Sequence, residues 1–227
     1  MRSLFLIFLL FFTVSTRAES FVLLNKETHS IVYSSNPNEV RPIASLTKLM
    51  TAMVYIDSGD YNERYLERLL IRSDNEVANR IAKEYKYGYR AFIRAMNMKA
   101  ELLGLQETYF FDPSGMSVFN RSTAKEYVEV VVEAEKYPLI KQISSTYEKK
   151  IETGKKQTTV LRNTNSLLRY YDNITLSKTG FTSRAGRCLA LIIERGSSQY
   201  AVVILGEKNP EDRAKTVVHL LNFINQE

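Results

Sequence analysis

Cysteine and histidine are scarce in this sequence of 227 residues, and their scarcity excludes several kinds of site. The single cysteine, Cys188, rules out an internal disulfide, and its apolar neighbours favour a packed core thiol over a nucleophile. The two histidines, His29 and His219, lie far apart and lack the spacing of metal ligands. We therefore expect no metal and no cofactor. A Ser-His-Asp hydrolase is also disfavoured, because the chain has little histidine and no Gly-x-Ser-x-Gly motif.

Basic tracts and low-complexity segments are also missing. Lysine and arginine total 31 against 25 acidic residues, which gives a formal charge of +6. No basic tract interleaves with aromatic residues, so nucleic acid is not an expected partner. The mild positive excess fits attraction to an anionic polymer such as a cell wall, and a plain solvated surface explains it equally well.

Only the N-terminus carries a long apolar run. Residues 4–12 are apolar, follow Arg2, and precede small residues that end at Ala18. This layout is typical of a secretory signal peptide, and the run is too short to span a bilayer comfortably; an uncleaved anchor is the less favoured alternative. We predict a signal peptide over residues 1–18 and a periplasmic or secreted protein over residues 19–227, with at most peripheral membrane contact.

The remaining pattern places a hairpin first, helices in the middle and strands late. Alternating and apolar runs predict strands at residues 21–24, 30–33, 147–153, 158–161, 174–180, 187–194 and 200–206. Helical patterns and their start and stop signals predict helices at residues 45–56, 61–71, 76–87, 89–103, 122–134 and 210–224. If the first hairpin joins the late strands, the fold is α+β: one antiparallel sheet flanked by terminal helices, with a helical lobe alongside, in a single catalytic domain.

Ser45 and Lys48 lie three residues apart at the start of an apolar helical segment. On a helix, residues i and i+3 share a face, so the two side chains should be neighbours. Burial among apolar residues destabilises the ammonium form, and a neutral amine can take the proton of a serine hydroxyl. The free N–H groups at a helix start also favour a developing oxyanion. The pattern indicates a nucleophile and its base.

The same spacing at Ser122 and Lys125 shows that one such pair is a weak signal. Ser122 stands where a helix should begin, so we interpret it as an N-cap beside a solvated lysine. Ser45 differs because Ser73-Asp74-Asn75 and Lys178-Thr179-Gly180 follow it. These three motifs occur together in β-lactamases and penicillin-binding proteins.

Each of the two further motifs has a chemical interpretation and a plain structural one. Ser73 can relay a proton between Lys48 and a leaving amine, and the Asn75 amide can bind a substrate amide and hold the lysine; the alternative is a helix-capping turn. Lys178 offers a positive charge to a substrate carboxylate, or is a solvent-facing strand end. Gly180 leaves the strand bare, so a peptide substrate could pair as an extra strand.

Beyond these motifs, the sequence resembles the serine-type D-alanyl-D-alanine peptidases, which are low-molecular-mass penicillin-binding proteins. The matching stretches are residues 42–52, 72–75, 111–117, 120–124, 177–182 and 185–186. The resemblance implies a β-lactamase/DD-peptidase-like fold. It also implies that Ser45 is the acylated nucleophile, Lys48 its base, and Ser73 and Asn75 the relay and amide-binding pair.

The resemblance further implies a substrate-binding strand. Lys178 and Thr179 would recognise a carboxylate, and the N–H groups of Ser45 and Phe181 would form the oxyanion hole. The implied binding residues on this strand also include Gly180 and Thr182. Arg213 stands where relatives place an arginine near the terminal carboxylate, although a surface charge at a helix start explains it as well.

Two features depart from the family pattern. Only 24 residues separate Lys48 from Ser73, where relatives carry more, including a small strand pair and a loop beside the active site. Ser177 stands where relatives usually have glycine. The shorter wall could open the cleft to a crosslinked substrate, or it could leave the Ser73 loop misplaced.

The predicted function is a serine DD-peptidase that hydrolyses D-alanyl bonds of peptidoglycan stem peptides or crosslinks through a Ser45 acyl-enzyme, with β-lactams as covalent inhibitors. The choice between carboxypeptidase and endopeptidase stays open. A non-catalytic wall-binding protein that retains the fold is the alternative, supported by the short segment after Lys48. A β-lactamase ranks lower, because no Glu-x-x-Leu-Asn segment supplies a carboxylate to activate the deacylating water.

Overall fold

Five antiparallel strands form the main sheet of the computed structural model, which describes residues 20–153 and 157–224. The strands of the described chain are β1 (Ser20–Asn25), β2 (Ser30–Ser35), β3 (Arg41–Pro42), β4 (Arg121–Ser122), β5 (Glu148–Thr153), β6 (Gln157–Arg162), β7 (Ile174–Thr182), β8 (Gly186–Arg195) and β9 (Ser198–Glu207). The order across the main sheet is β2-β1-β9-β8-β7. The N-terminal hairpin therefore joins the late strands, as predicted, and β7 lies at an edge.

Seven α-helices accompany the strands within the same residues. They are α1 (Lys48–Asp57), α2 (Glu63–Leu70), α3 (Asn75–Glu84), α4 (Tyr89–Leu102), α5 (Ala124–Glu135), α6 (Pro138–Ser144) and α7 (Pro210–Ile224). The α+β class is confirmed. The sequence patterns missed α6, which begins with Pro138 at its first position, where the missing N–H has no intrahelical partner to lose.

The strands alternate between two apolar cores, one on each face of the sheet. Ala190 and Ile192 of β8 pack towards the helical lobe, whereas Leu189 and Leu191 pack towards α7 and its Leu220. Successive residues of a strand point to opposite faces, so a strand buried on both faces is continuously apolar. Burying a side chain of this size contributes about 1.5–3 kcal/mol. The edge strand β7 is therefore held on a rigid support.

The segment that carries Ser45 differs from the prediction of one α-helix over residues 45–56. A 3-10 turn, Ala44–Thr47, precedes α1, and Ala44 adopts a positive φ of 46°. In a 3-10 turn there are three residues per turn, so the side chains of residues i and i+3 eclipse. Ser45 and Lys48 are therefore expected to lie closer together than on a regular α-helix, because a turn of this type places the two side chains one above the other.

The cap of α5 is also corrected. Ser122 lies on β4 and its hydroxyl bonds the hydroxyl of Thr108 at 2.7 Å, whereas Thr123 accepts from the N–H of Glu126 at 3.0 Å. The cap is therefore Thr123, because strand pairing already fixes the preceding residue. Lys125 is exposed, as the capping interpretation expected.

Three predictions involve residues without a description here. The signal peptide and its cleavage point lie outside the described residues, as does the turn at residues 154–156 between β5 and β6. Over residues 20–153 and 157–224, no helix combines the length and the apolarity needed to cross a bilayer.

Candidate active site

Lys48 is at the centre of a hydrogen-bonded cluster at the start of α1. Its Nζ donates to Ser45 Oγ at 2.8 Å, to Asn75 Oδ1 at 2.7 Å and to the Ser114 carbonyl oxygen at 2.6 Å. The Lys48 side chain is completely buried, whereas Ser45 is partly exposed. The cluster thus joins a buried amine to a hydroxyl that a substrate can reach.

Burial lowers the pKa of Lys48 from 10.5 to about 7, although the charges of Asp112 and Asp74 partly oppose this. Desolvation disfavours the charged form of an amine, which is the first cause of the shift. A substantial fraction of the amine is therefore neutral near pH 7. A neutral amine has a lone pair, so the Ser45 hydroxyl can then donate to Lys48 and lose its proton in an attack.

The Ser73-Asp74-Asn75 motif contains both a helix cap and a contact with Lys48, on different residues. Asp74 caps α3, accepting from the N–H groups of Glu76 at 2.9 Å and Val77 at 3.1 Å. Burial opposes its ionisation, yet the cap and its partner Arg68 hold the pKa of Asp74 below its ordinary value.

The cap makes Asn75 the first residue of α3 and places its amide oxygen on Lys48. Ser73 has a positive φ of 60°, a strained conformation of the kind that clusters at functional sites. The short segment before this motif therefore leaves Ser73 and Asn75 in contact with the lysines of the site.

Lys178 is buried rather than solvent-facing, which removes the strand-end interpretation. Its side chain is 1% exposed, and its Nζ donates to Ser73 Oγ and to the Thr179 carbonyl oxygen, both at 2.9 Å. Burial, followed by the charges of Lys48 and Arg213, holds the pKa of Lys178 well below its ordinary value. Each of the two serine hydroxyls is thus in contact with a buried lysine, Ser45 with Lys48 and Ser73 with Lys178.

The loop that follows α4 positions the partner of Lys48, a role that the sequence motifs did not assign. The carboxylate of Asp112 accepts from the Ser114 N–H, the Ser114 hydroxyl and the N–H groups of Gly115 and Ser117, at 2.7–2.8 Å. Burial opposes ionisation, but these hydrogen bonds hold the pKa of Asp112 below its usual value. The folded loop points the Ser114 carbonyl at Lys48. The available signal was the Asp-Pro-Ser-Gly turn itself.

Two glycines allow backbone segments to press against the turn that carries Ser45. A Cβ on Gly180 would lie 3.0 Å from the Ser45 nitrogen and 3.1 Å from Ala44 Cβ and the Ile43 oxygen. A Cβ on Gly115, at φ +85°, would lie 1.9 Å from the Ala44 oxygen. Strand β7 and the loop therefore clamp the turn from both sides, and the Ser45 N–H lies beside β7.

The cleft in front of Ser45 has a volume of about 260 Å³. Its lining comprises Ser45, Ser73, Thr164, Thr179, Gly180, Phe181, Arg187 and Arg213. Arg213 is thus at the cleft, whereas Lys48, Asn75 and Lys178 are not among the lining residues. Thr182 is not part of the lining, and its hydroxyl accepts from the Ala185 N–H at 3.0 Å in the turn before β8.

Thr164 and Arg187 are cleft residues that the motifs did not indicate. Thr164 accepts from the Thr179 hydroxyl at 2.6 Å. The neighbouring Asn165 donates to the hydroxyl of Ser177 at 2.7 Å, so the serine that departs from the family pattern anchors this segment. Both cleft residues are set by contacts between distant segments, for which the sequence offered no local signal.

Comparisons with known proteins agree with this geometry. The sequence matches a family described as D-alanyl-D-alanine carboxypeptidase over residues 12–65 and 61–209. The D-alanyl-D-alanine endopeptidase of Escherichia coli is 37% identical over 218 residues, covering 82% of this chain and 70% of the relative. The endopeptidase of Pseudomonas aeruginosa is 36% identical over 217 residues, with the same two coverages.

Solved structures agree on the fold. Penicillin-binding protein D2 of Listeria monocytogenes, in a cefotaxime-bound form, has a TM-score of 0.80 at 25% identity and covers 91% of this chain and 96% of its own. The Streptomyces K15 DD-transpeptidase has a TM-score of 0.84 at 22% identity, with coverages of 89% and 95%. The family match is split within the short segment between Lys48 and Ser73, where this chain departs from the pattern. This chain belongs to the D-alanyl-D-alanine carboxypeptidase family of serine peptidases.

Proposed function

We propose that this chain is a penicillin-sensitive serine DD-peptidase that hydrolyses D-alanyl bonds in peptidoglycan stem peptides or crosslinks. The observation that carries the proposal is the 2.8 Å contact between Ser45 Oγ and the buried Lys48 amine, whose pKa of about 7 permits a neutral form. A nucleophile and a base within hydrogen-bond reach are the first requirement of covalent catalysis. Family membership gives the reaction class.

Acylation begins with proton transfer from Ser45 Oγ to Lys48 Nζ as the oxygen attacks the carbonyl carbon of a D-alanyl residue. The negative charge then develops on the carbonyl oxygen. The N–H groups of Ser45 and Phe181 are the proposed donors to it, supported by the close approach of β7 to the Ser45 nitrogen. Preorganised donors of this kind stabilise the transition state because they need no reorganisation.

Departure of the leaving amine needs a proton. Ser73 lines the cleft and accepts from Lys178, so its hydroxyl hydrogen can point at the departing nitrogen. Ser73 then recovers a proton from the lysines of the site, and the net transfer passes on the proton that Lys48 took from Ser45, so Lys48 is neutral again. Water completes the cycle: it gives a proton to neutral Lys48 and attacks the acyl carbon. Lys48 then returns this proton to Ser45 Oγ as the ester bond breaks, which releases the peptide acid and restores the free enzyme.

Substrate binding uses the part of edge strand β7 that lines the cleft, Thr179, Gly180 and Phe181. An extended peptide can add to this edge as a further strand, since β7 has a neighbour on one side only in the described sheet. Thr179 and Arg213 face the cleft and are the proposed ligands of the terminal carboxylate, with Lys178 behind them. A β-lactam would occupy the same place and acylate Ser45.

The proposed location is outside the cytoplasm, because peptidoglycan lies there and residues 1–18 have the pattern of a signal peptide. Cleavage of this segment, leaving a chain that starts at Glu19, remains part of the proposal. Mass analysis of the protein purified from the exported fraction measures the cleavage point directly.

The decisive experiment compares the wild type with Ser45→Ala and with Ser122→Ala, the serine of the second Ser-x-x-Lys pair. We expect labelled penicillin to attach to Ser45 in the wild type and in Ser122→Ala, and not in Ser45→Ala. The wild type should also release D-alanine or separate stem peptides from purified muropeptides. Labelling of Ser45→Ala would overturn the assignment of the nucleophile, and acylation without cleavage of any muropeptide would favour the non-catalytic alternative.

A further inference from the structure

The cleft has more positive charge than a single terminal carboxylate requires. Arg187 and Arg213 both line it, and none of its described lining residues is acidic. The carboxylate that acts on Arg213 is Glu207, which is completely buried, accepts from the Thr216 hydroxyl at 2.6 Å, and is not part of the lining. The two guanidinium groups therefore face a cleft without an acidic side chain.

Arg187 is held at the cleft by Phe181. The two residues are partners across β7 and β8, and the guanidinium carbon lies 4.5 Å from the centre of the phenyl ring. Such a stack orients the planar guanidinium without using its N–H groups. Within the described chain, the Nε of Arg187 is buried and has no hydrogen-bond partner. A buried donor without a partner costs free energy, so its presence in a binding cleft points to a ligand.

Arg187 lines the same cleft as Arg213, the proposed ligand of the terminal carboxylate on the leaving group. The two arginines line one cleft of about 260 Å³, and burial, followed by the charge of Arg187, lowers the pKa of Arg213. Arg213 and Thr179 already offer a guanidinium fork and a hydroxyl to the terminal carboxylate. A bidentate fork occupies both oxygens of one carboxylate. The guanidinium group of Arg187 is then available to a second anionic group in the same cleft.

We propose that Arg187 binds a second carboxylate on the leaving-group side of the substrate and so favours crosslinked peptides over peptides that release D-alanine. D-Alanine has one carboxylate, whereas the stem peptide released from a crosslink has more than one. The inference rests on the proposed function and adds the substrate preference of the same cleft. Arg187 is a substrate-binding residue in this account, and the chemical step itself is unchanged.

The test uses three synthetic peptides with one acyl part and the endings D-Ala-D-Ala, D-Ala-D-Glu and D-Ala-D-Gln. D-Glu and D-Gln have nearly the same shape, and only D-Glu has a second carboxylate. We expect the wild type to cleave the D-Glu peptide with a kcat/KM about tenfold higher than the D-Gln peptide, the size expected for one charge-assisted hydrogen bond. Arg187→Gln should reduce this ratio to near one.

Two further variants separate binding from structure. Arg187→Lys keeps the charge without the fork and should retain part of the preference. Arg184→Gln removes an exposed arginine of the same turn and should keep the wild-type ratio. In the natural substrate, Arg187→Gln should lower cleavage of crosslinked muropeptides more than release of D-alanine from uncrosslinked ones.

The outcomes distinguish the inference from the function on which it depends. If the wild type does not discriminate D-Glu from D-Gln, or if Arg187→Gln lowers kcat for all three peptides equally, Arg187 only supports Phe181 or shares the first carboxylate. The inference is then wrong and the peptidase function stands. If the wild type cleaves none of the peptides and Ser45 takes no penicillin label, the proposed function fails as well.

Discussion

At the scale of single residues, the burial of Lys48 is the feature on which the proposed reactivity of Ser45 depends. An exposed lysine is almost fully protonated near neutral pH, whereas this one has a pKa of about 7. The three acceptors around its Nζ satisfy the ammonium form when it is present. The site therefore tolerates both protonation states, which a base that gains and loses a proton in each cycle requires.

The pH dependence of acylation follows from this pKa. Only neutral Lys48 can take the Ser45 proton, so the rate of labelling by penicillin should rise about tenfold per pH unit below pH 7 and level off above it. Lys48→Ala should lower the plateau rate above pH 7 by about 10²–10⁴-fold and abolish the rise between pH 5 and 7, because it removes the titrating base. Lys125→Ala removes the exposed lysine of the second pair and should keep the wild-type profile. A profile that stays flat from pH 5 to 8 would contradict Lys48 as the base.

At the scale of elements, the site is the meeting point of a turn, a loop and an edge strand. The turn Ala44–Thr47 is strained at Ala44, and it is held from one side by β7 and from the other by the loop at residues 112–117. Strain of this kind persists only where the surroundings fix the backbone. The close packing at Gly115 and Gly180 supplies that constraint.

Alanine substitutions at two glycines with similar φ angles distinguish the effect of close packing on the turn from the effect of backbone strain alone. Gly115 and Gly59 have φ of +85° and +78°, but a Cβ on Gly59 would meet nothing within 4 Å. Gly59→Ala should therefore lower the free energy of unfolding by about 1–2 kcal/mol and leave acylation unchanged. Gly115→Ala must also displace Ala44, and we expect acylation to fall about 10²-fold, since small displacements of a reacting group have effects of this size.

The measurements for this pair are urea unfolding and the rate of penicillin labelling on the same samples. The comparison is informative because the intrinsic backbone cost is nearly equal in the two variants. Equal acylation rates in folded Gly115→Ala and Gly59→Ala would show that the clamp on the turn is not needed for reactivity.

At the scale of the whole molecule, the sheet holds two apolar cores apart and gives the buried lysines a rigid setting. Lys48 and Lys178 both face the helical-lobe side of the site, and both have lowered pKa values because they are buried. In the unfolded chain each lysine regains an ordinary pKa near 10.5. Burial of the two lysines therefore lowers the free energy of unfolding at pH values where these amines are charged in the unfolded chain.

Stability should consequently rise with pH above neutrality. Between pH 7 and 9 the unfolded chain binds more protons at Lys48 than the folded protein does, so the free energy of unfolding rises by up to about 1.4 kcal/mol per pH unit. Two other buried groups oppose this rise above that range. Burial raises the pKa of Cys188 to about 11 and also raises the pKa of Tyr127, so the unfolded chain loses these protons before the folded protein does. Urea unfolding at several pH values measures the slope.

The matched variant for this prediction is Lys48→Met, which removes the titrating group from the buried position. Its unfolding free energy should rise less steeply with pH than that of the wild type, whatever the absolute values are. If the free energy of unfolding of the wild type falls between pH 7 and 9, the pKa of Lys48 is not lowered in the folded protein.

Much of the chemistry could be read from local spacing. Ser45 and Lys48 are three residues apart, and any helical turn brings such residues together. Of the other motif residues, Asn75 accepts a hydrogen bond from Lys48, and Lys178 donates one to Ser73 beside the pair. Boundaries were less predictable: the cap of α5 moved by one residue to Thr123, because pairing of a two-residue strand with a distant segment took the preceding serine.

The sequence by itself determined the class of fold, the proximity of Ser45 and Lys48 and the order of the three motifs, because these depend on periodicity and on neighbours a few residues away. The tertiary structure alone decided that Lys178 is buried, that the Ser114 carbonyl binds Lys48, and that Arg187 reaches the cleft. Each of these depends on the register of paired strands or on a loop folded against a remote turn. Such contacts join residues dozens of positions apart, and no local pattern encodes which distant side chain will desolvate, neutralise or orient another.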